Sequence, residues 1–311
     1  MTLASDRREP TKPMPHWTAR RLTLLAPESP PTRPLVMGIV NTTPDSFSDG
    51  GLALEPDDAL AHARRLVAQG ADLLDIGGES TRPDAPVVAL DEELRRVLPV
   101  VERLLALPDA PPISIDTSKP EVARRALDLG ASIINDVTAL ADPDMRRVVA
   151  DSGAGVVLMH MRGDPRTMQL APRYDDVAAE VVDFLARRIE LCIADGIPRE
   201  RIAVDPGIGF GKTQEHNLTL LREIPRFREL GCAILIGVSR KGFLGIITGR
   251  PRHERAVASA VCSLHAATLG ASVLRVHDVA PLVDALAVWS ALEGPFPIET
   301  SPRRPAQGHA R

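Results

Sequence analysis

Arg275 and His277 stand two residues apart at the end of a short apolar run, so on an extended chain both side chains point the same way. A guanidinium beside an imidazole suits an anionic group held through charge-assisted hydrogen bonds. Acceptors follow other short apolar runs: Asn41, Asp116, Asn135 with Asp136, and Asp205. Carboxylates and an amide oxygen accept from N–H donors, and the carboxylates also stabilise a nearby positive charge. His160 and Lys241 close two further runs, and GGESTRP closes another at Gly77–Pro83.

Two longer stretches invite a chemical reading. NTTPDSFSDGG, Asn41–Gly51, spends eleven residues almost entirely on hydrogen-bonding groups, with Phe47 among them. An ordinary connection needs about two to six residues, and loops on a rigid scaffold are where binding and catalytic groups gather. DPGIGFGKT, Asp205–Thr213, suggests nucleotide binding but fails both tests. Pro206 stands where a phosphate-binding P-loop needs its first Gly, and Lys212 follows Gly211, which breaks GxGxxG. Its glycines are better read as letting the backbone approach a flat ligand beside Phe210.

The elements that must position these residues repeat along the chain. Short β-branched or apolar runs occur at Leu35–Val40, Leu73–Gly77, Ile113–Asp116, Ile133–Asp136, Val156–His160, Ile202–Asp205, Ala233–Gly237 and Val273–Val276. A stretch of helical period follows each. After the first, Ala59, Leu60, Ala63, Leu66 and Val67 fall on one helix face, with Asp57 and Asp58 at the positive end of the helix dipole. Near-continuous apolar strands alternating with helices mean a parallel sheet buried on both faces. Eight units in about 260 residues is the size of an α/β (β/α)8 TIM barrel, with a doubly wound open sheet as the rival. A barrel puts every strand C-terminus on one face, which is where the polar outcrops fall.

Composition narrows the function. Hydrophobic residues make up 44% and charged residues 25%, an ordinary globular balance. A net charge of -4 argues against general nucleic-acid binding. Cys192, Cys232 and Cys262 are odd in number and without a CxxC pair, which speaks against a disulfide framework or a zinc site and for a cytoplasmic location. No apolar run reaches the roughly 18 residues a membrane span needs. Residues 1–33 are rich in Pro and Arg and read as a flexible tail, 34–294 as the barrel, and 295–311 as a second tail.

NTTPDSFSDGG, DLLDIGGESTRP, SIDT, IND, VLMHMRG, DPGIGFGKT, GVSRKGFLG and RVHDV resemble, in order, the motifs of the dihydropteroate synthase family. Each motif is only moderately specific, whereas the ordered set from Leu35 to about Glu293 is very specific. The resemblance implies condensation of 6-hydroxymethyl-7,8-dihydropterin diphosphate with p-aminobenzoate, releasing diphosphate, in folate biosynthesis. Catalysis would then lie mainly in stabilising the leaving diphosphate and a developing pterin cation, because an aniline is a weak nucleophile.

The resemblance also implies roles. Arg275 and His277 would hold the diphosphate, with Arg275 against the pterin ring. Asn41 would be the Mg²⁺ ligand, a lone amide being enough for an ion that keeps waters and phosphate oxygens. Asp116, Asn135 and Asp205 would pair with the pterin donors, Lys241 would donate to the ring, and Met159 and Phe210 would line its slot. Asp45 and Arg82 would pair across the mouth, while Phe47, Thr81 and Pro83 would enclose the aminobenzoate beside Ser239, Gly242 and Phe210. The loop after the first strand would act as a lid that closes on bound diphosphate. Family members are usually homodimers through the later barrel helices. One departure stands out: the family usually has Ser after the Lys of SRK, and this chain has Gly242. Backbone N–H groups at that helix start could hold the aminobenzoate carboxylate unaided. The alternatives are a pterin-binding barrel in corrinoid methyl transfer and a non-catalytic pterin-binding paralogue.

Overall fold

The computed structural model describes residues 16–26, 32–42, 56–80, 85–163, 168 and 171–296. Among these residues ten strands appear in chain order: β1 Trp17–Ala19, β2 Leu22–Leu25, β3 Leu35–Asn41, β4 Leu73–Gly77, β5 Ile113–Asp116, β6 Ile133–Asp136, β7 Gly155–Met159, β8 Ile202–Asp205, β9 Ala233–Ile236 and β10 Val273–Val276. Strands β3 to β10 are all parallel and close into a barrel in sequence order, with β10 against β3. The outer layer is α1 Pro56–Ala68, α2 Leu90–Leu105, α3 Pro120–Leu129, α4 Pro143–Ser152, α5 Val177–Ala194, α6 Gln214–Arg222, α7 Ile224–Phe227, α8 Gly242–Thr248, α9 Ala256–Thr268 and α10 Val279–Glu293. The eight-stranded TIM barrel read from the sequence is therefore present, and the open sheet is not.

The chemistry of each element follows from its pattern. In α1 the residues Ala59, Ala63 and Leu66 are buried against the sheet, and Asp57 and Asp58 occupy the first turn as expected. Two apolar layers result. The larger lies between strands and helices and joins Val36, Val40, Leu74, Ile76 and Ile115 with Val97, Val101 and Leu104 of α2 in one cluster. The smaller fills the barrel interior with Met37, Leu73, Ile133, Val157, Leu235 and Val273.

For residues 16–26, that interior layer corrects the reading of 1–33 as a flexible tail. Strands β1 and β2 form an antiparallel hairpin whose Trp17, Ala19 and Leu25 join the interior cluster, with Trp17 fully buried. Fully burying such a side chain stabilises by roughly 1.5–3 kcal/mol. Trp17 Nε1 donates to the Arg201 carbonyl at 3.2 Å, and the Arg20 backbone N–H donates to Gly153 O at 2.7 Å. A Cβ on Gly155 would lie 3.0 Å from both Ala19 Cβ and Thr18 O, so the hairpin packs directly on bare backbone. These contacts lie at or just before strand starts, so the hairpin plugs the N-terminal end. The C-terminal boundary also moves: Phe296 is buried and stacks on Trp289 at 6.2 Å.

Register places the functional end. Asn41 pairs with Gly77, Gly77 with Asp116 and Asp116 with Asn135, so four strand ends share one level. Met159 pairs with Asp205 further round. One step below, Ile39, Asp75 and Ser114 form the next level.

Candidate active site

The centre of the C-terminal face is a buried ion cluster. Arg275 on β10 donates from Nε to Asp75 Oδ2 at 2.6 Å and from Nη2 to Asp116 Oδ2 at 2.7 Å. Asn135 Nδ2 donates to the same Asp75 oxygen at 3.0 Å. Burial pushes the Asp116 carboxyl up to about 7; Arg275 pulls against this, while Asp75, Glu93 and Asp136 add to it. Two carboxylates held by one guanidinium thus leave a local excess of negative charge facing whatever binds above.

The second group of residues hangs on the glycine loop after β8. Asp205 is buried and accepts from the Gly207 N–H at 2.7 Å. Burial raises its carboxyl, opposed by that N–H and by Lys241, Arg275 and Lys212. Gly207 has φ of 70°, and a Cβ there would meet His160 O at 1.8 Å, so only glycine can sit beneath β7. Asn217 of α6 holds the loop by accepting from Gly209 N at 2.7 Å and donating to Thr213 O at 2.8 Å. Phe210 is thereby placed under Lys241, whose Nζ lies 3.9 Å from the ring centroid. Burial lowers the Lys241 ammonium to about 8, against the pull of Asp205.

The third group forms the cationic rim. Ser239 Oγ accepts the His277 backbone N–H at 3.1 Å and lies 2.9 Å from His277 Nδ1. A hydroxyl that accepts this N–H still has its own proton to donate to Nδ1, and in that arrangement the imidazole proton sits on Nε2. Burial first, then Arg240, Arg275, Arg252 and Lys241, hold the His277 pKa well below its ordinary value, so the ring is a neutral donor. Arg240 is pinned by Asp278, with Nε to Oδ2 at 2.8 Å. Gly242 begins α8 with open space where a side chain would go, and Arg255 Nη1 ties the Arg240 and Lys241 carbonyls at 3.2 Å each.

A cavity of about 640 Å³ unites these groups, lined among others by Asn41, Asp116, Phe210, Lys241, Arg275 and His277. Ser239 and Gly242 also line it, whereas Asn135, Met159 and Asp205 are buried beneath the wall. Asp45, Phe47, Thr81, Arg82 and Pro83 lie outside the described residues, and so does the closing of the lid.

Two polar strand ends turn out to have other work. Asp136 accepts from Thr138 N at 2.8 Å and Leu140 N at 3.0 Å, fixing a turn in which Ala139 and Leu140 have positive φ. His160 turns under the glycine loop, where Lys212 Nζ reaches its Nδ1 at 2.9 Å and Phe210 O at 2.9 Å. Burial lowers Lys212 to about 7 and His160 to about 3. Reading strand ends alone missed Asp75, although a carboxylate inside the otherwise apolar LLDIG was a visible signal. It also missed the buried Glu93, which accepts from Thr117 Oγ1 at 2.6 Å and shares Lys119 with Glu79.

Residues 37–277 match the family described as pterin binding enzyme. The dihydropteroate synthase of Escherichia coli (strain K12) is 46% identical over 260 residues, covering 84% of this chain and 92% of that protein. The solved dihydropteroate synthase of Xanthomonas albilineans with 4-aminobenzoic acid is 52% identical, with a TM-score of 0.82 over 90% of this chain and 98% of the other. The same enzyme solved with 7,8-dihydropteroate superposes with a TM-score of 0.79 at 49% identity, over 90% and 99% of the two chains.

Proposed function

This chain belongs to the pterin-binding enzyme family, and we propose that it performs the dihydropteroate synthase reaction on 6-hydroxymethyl-7,8-dihydropterin diphosphate and p-aminobenzoate. It is a transferase of folate biosynthesis. The observation that carries this reading is one cavity with acceptors at its floor and cationic or N–H donors at its rim. The relatives solved with 4-aminobenzoic acid and with 7,8-dihydropteroate support it.

The geometry suits the chemistry step by step. Asp116, Asp205 and the Asn135 oxygen would take the pterin amino and ring N–H donors, and Lys241 over Phe210 would donate to the ring carbonyl or nitrogen. The exocyclic C–O bond then breaks, and the buried carboxylates stabilise the positive charge left on the pterin methylene. Arg275 and the His277 Nε2–H would stabilise the departing diphosphate. The aniline nitrogen adds to the methylene and, as the C–N bond forms, loses one proton to water or the departing diphosphate. Gly242 at the start of α8 would leave the aminobenzoate carboxylate to backbone donors.

Asn41 would hold Mg²⁺. Among the described residues no group of three or more His, Cys, Asp or Glu side chains could hold a metal. A lone amide oxygen on the cavity wall, completed by water and phosphate oxygens, fits the low protein-ligand count that Mg²⁺ tolerates. When bound, the ion would neutralise charge on the diphosphate. Ile246, Ile247, Val257, Val261, Val288 and Leu292 are exposed on α8, α9 and α10, an apolar face that supports a homodimer through the later helices. No described helix is long and apolar enough to cross a membrane, and the three cysteines are free, which supports a reducing cytoplasm. The reading is tested by incubating the purified chain with both substrates and Mg²⁺. Formation of 7,8-dihydropteroate that needs both substrates is expected; no product would refute it.

A further inference from the structure

We propose that Asp75 is the positioning residue of this site, fixing the Arg275 guanidinium and the Asn135 amide in the one orientation that receives the pterin diphosphate. The proposal rests on the reaction assigned above. Asp75 is fully buried inside β4, one level below the strand ends, where its neighbours along the barrel are Ile39 and Ser114. Its Oδ2 accepts two donors, Arg275 Nε at 2.6 Å and Asn135 Nδ2 at 3.0 Å. Its Oδ1 is buried without a hydrogen-bond partner. A carboxyl group in such a place costs more than an apolar side chain of similar size would, so packing does not account for it.

Direction does account for it. An Asn amide offers a donor on one side and an acceptor on the other, and either can face a ligand. An oxygen that already accepts from Arg275 can only accept from Asn135, so Nδ2 must point at Asp75. The amide oxygen is then the group left for a ligand N–H. Arg275 is constrained in the same way: Nε goes to Asp75 and Nη2 to Asp116 at 2.7 Å, which fixes the guanidinium plane and leaves Nη1 for an anion. One side chain thus sets an acceptor for the ring and a donor for the leaving group.

Charge provides a readout that a packing role would not move. Asp116 faces Arg275 from β10, Asp75 from β4, Glu93 from α2, Asp136 from β6 and Lys241 at the start of α8. Asp75 is the negative neighbour that shares its guanidinium. Removing that charge frees Arg275 for Asp116 and removes a repulsion, and both changes favour the Asp116 carboxylate at lower pH.

The test compares the unaltered protein with Asp75→Asn and Asp75→Ala. In both variants kcat/KM for the pterin diphosphate should fall about 10- to 100-fold, the loss of one or two oriented charge-assisted bonds. The aminobenzoate KM should stay within about twofold. The acid limb of the Asp75→Asn profile should move down by roughly one pH unit. Unchanged kcat/KM and an unchanged acid limb in folded variants would overturn the proposal. Should neither variant fold, a crystal structure of the unaltered protein with the pterin substrate decides. Nε and Nδ2 both still on Asp75 supports the assignment, and a ligand atom on either donor overturns it. If the unaltered protein makes no dihydropteroate, the reaction assignment falls, and the pterin-bound structure still decides the orientation.

Discussion

The two ends of the barrel are built from the same eight strands and have opposite chemistry. At the N-terminal end Trp17, Ala19 and Leu25 close the interior in one apolar cluster with Met37, Leu73 and Val273. At the C-terminal end the interior ends in Asp75, Asp116, Asn135, Asp205 and Arg275, all turned inwards. The plug is held by apolar packing and a few hydrogen bonds to backbone carbonyls, whereas the mouth keeps charges that are only partly balanced by one another. The difference separates what holds the fold from what acts on a ligand: substitutions at the plug should change stability alone, and substitutions in the buried ion cluster of the mouth should change both.

The largest effect expected is at Arg275. Arg275→Ala leaves Asp75 and Asp116 buried without their guanidinium, so it should cost about 3–5 kcal/mol of stability and also abolish measurable turnover. Denaturant melts paired with the synthase assay check this; near-native activity would break the comparison at the mouth. Trp17→Ala should cost a similar 3–5 kcal/mol, through the cavity it leaves. Its KM values at a temperature where it is folded should match the unaltered protein. A KM change above about tenfold would show that the plug is coupled to the site.

Smaller effects sharpen the picture of the mouth. Ser239→Ala removes the hydroxyl that sets the His277 tautomer, so kcat/KM should drop roughly tenfold while stability changes by less than about 1.5 kcal/mol. The pH dependence has a definite sign. Asp116 titrates near 7, and only its carboxylate accepts from the pterin donors, so kcat/KM should fall as pH drops below about 7. A flat profile from pH 5 to 8 would remove Asp116 from the binding step. Smallest of all, Gly242→Ser enters open space, and a hydroxyl adds at most one neutral hydrogen bond. The aminobenzoate KM should move by less than about tenfold with turnover nearly unchanged. A hundredfold change in turnover would give that side chain a part in the transition state.

The same contrast explains what could be read from the sequence. The barrel strands were legible because strands buried on both faces need unbroken apolar runs, and eight such runs stand apart from their amphipathic helices. The hairpin was not, because Trp17 and Leu25 lie in short runs among Pro and Arg, and only contact with the barrel gives them a reason to be ordered. At the mouth, Asn41, Asp116, Lys241, Arg275 and His277 were legible as polar residues ending apolar strands, and all five line one cavity. His160 and Asp136 gave the same signal and are occupied beneath loops, because a strand end fixes where a side chain starts and not what it meets. Asp75 was passed over because it lies within a strand rather than at its end, although a carboxylate in an apolar run was there to be seen.

The account's central claim is that the mouth, and not the plug, recognises the pterin diphosphate. Calorimetric titration of 6-hydroxymethyl-7,8-dihydropterin diphosphate into the unaltered protein, Arg275→Ala and Trp17→Ala tests it directly. The account predicts saturable binding that is lost in Arg275→Ala, a weakening of at least about tenfold for a charge-assisted contact, and retained in folded Trp17→Ala. Equal affinity in all three, or no binding to the unaltered protein, would contradict it.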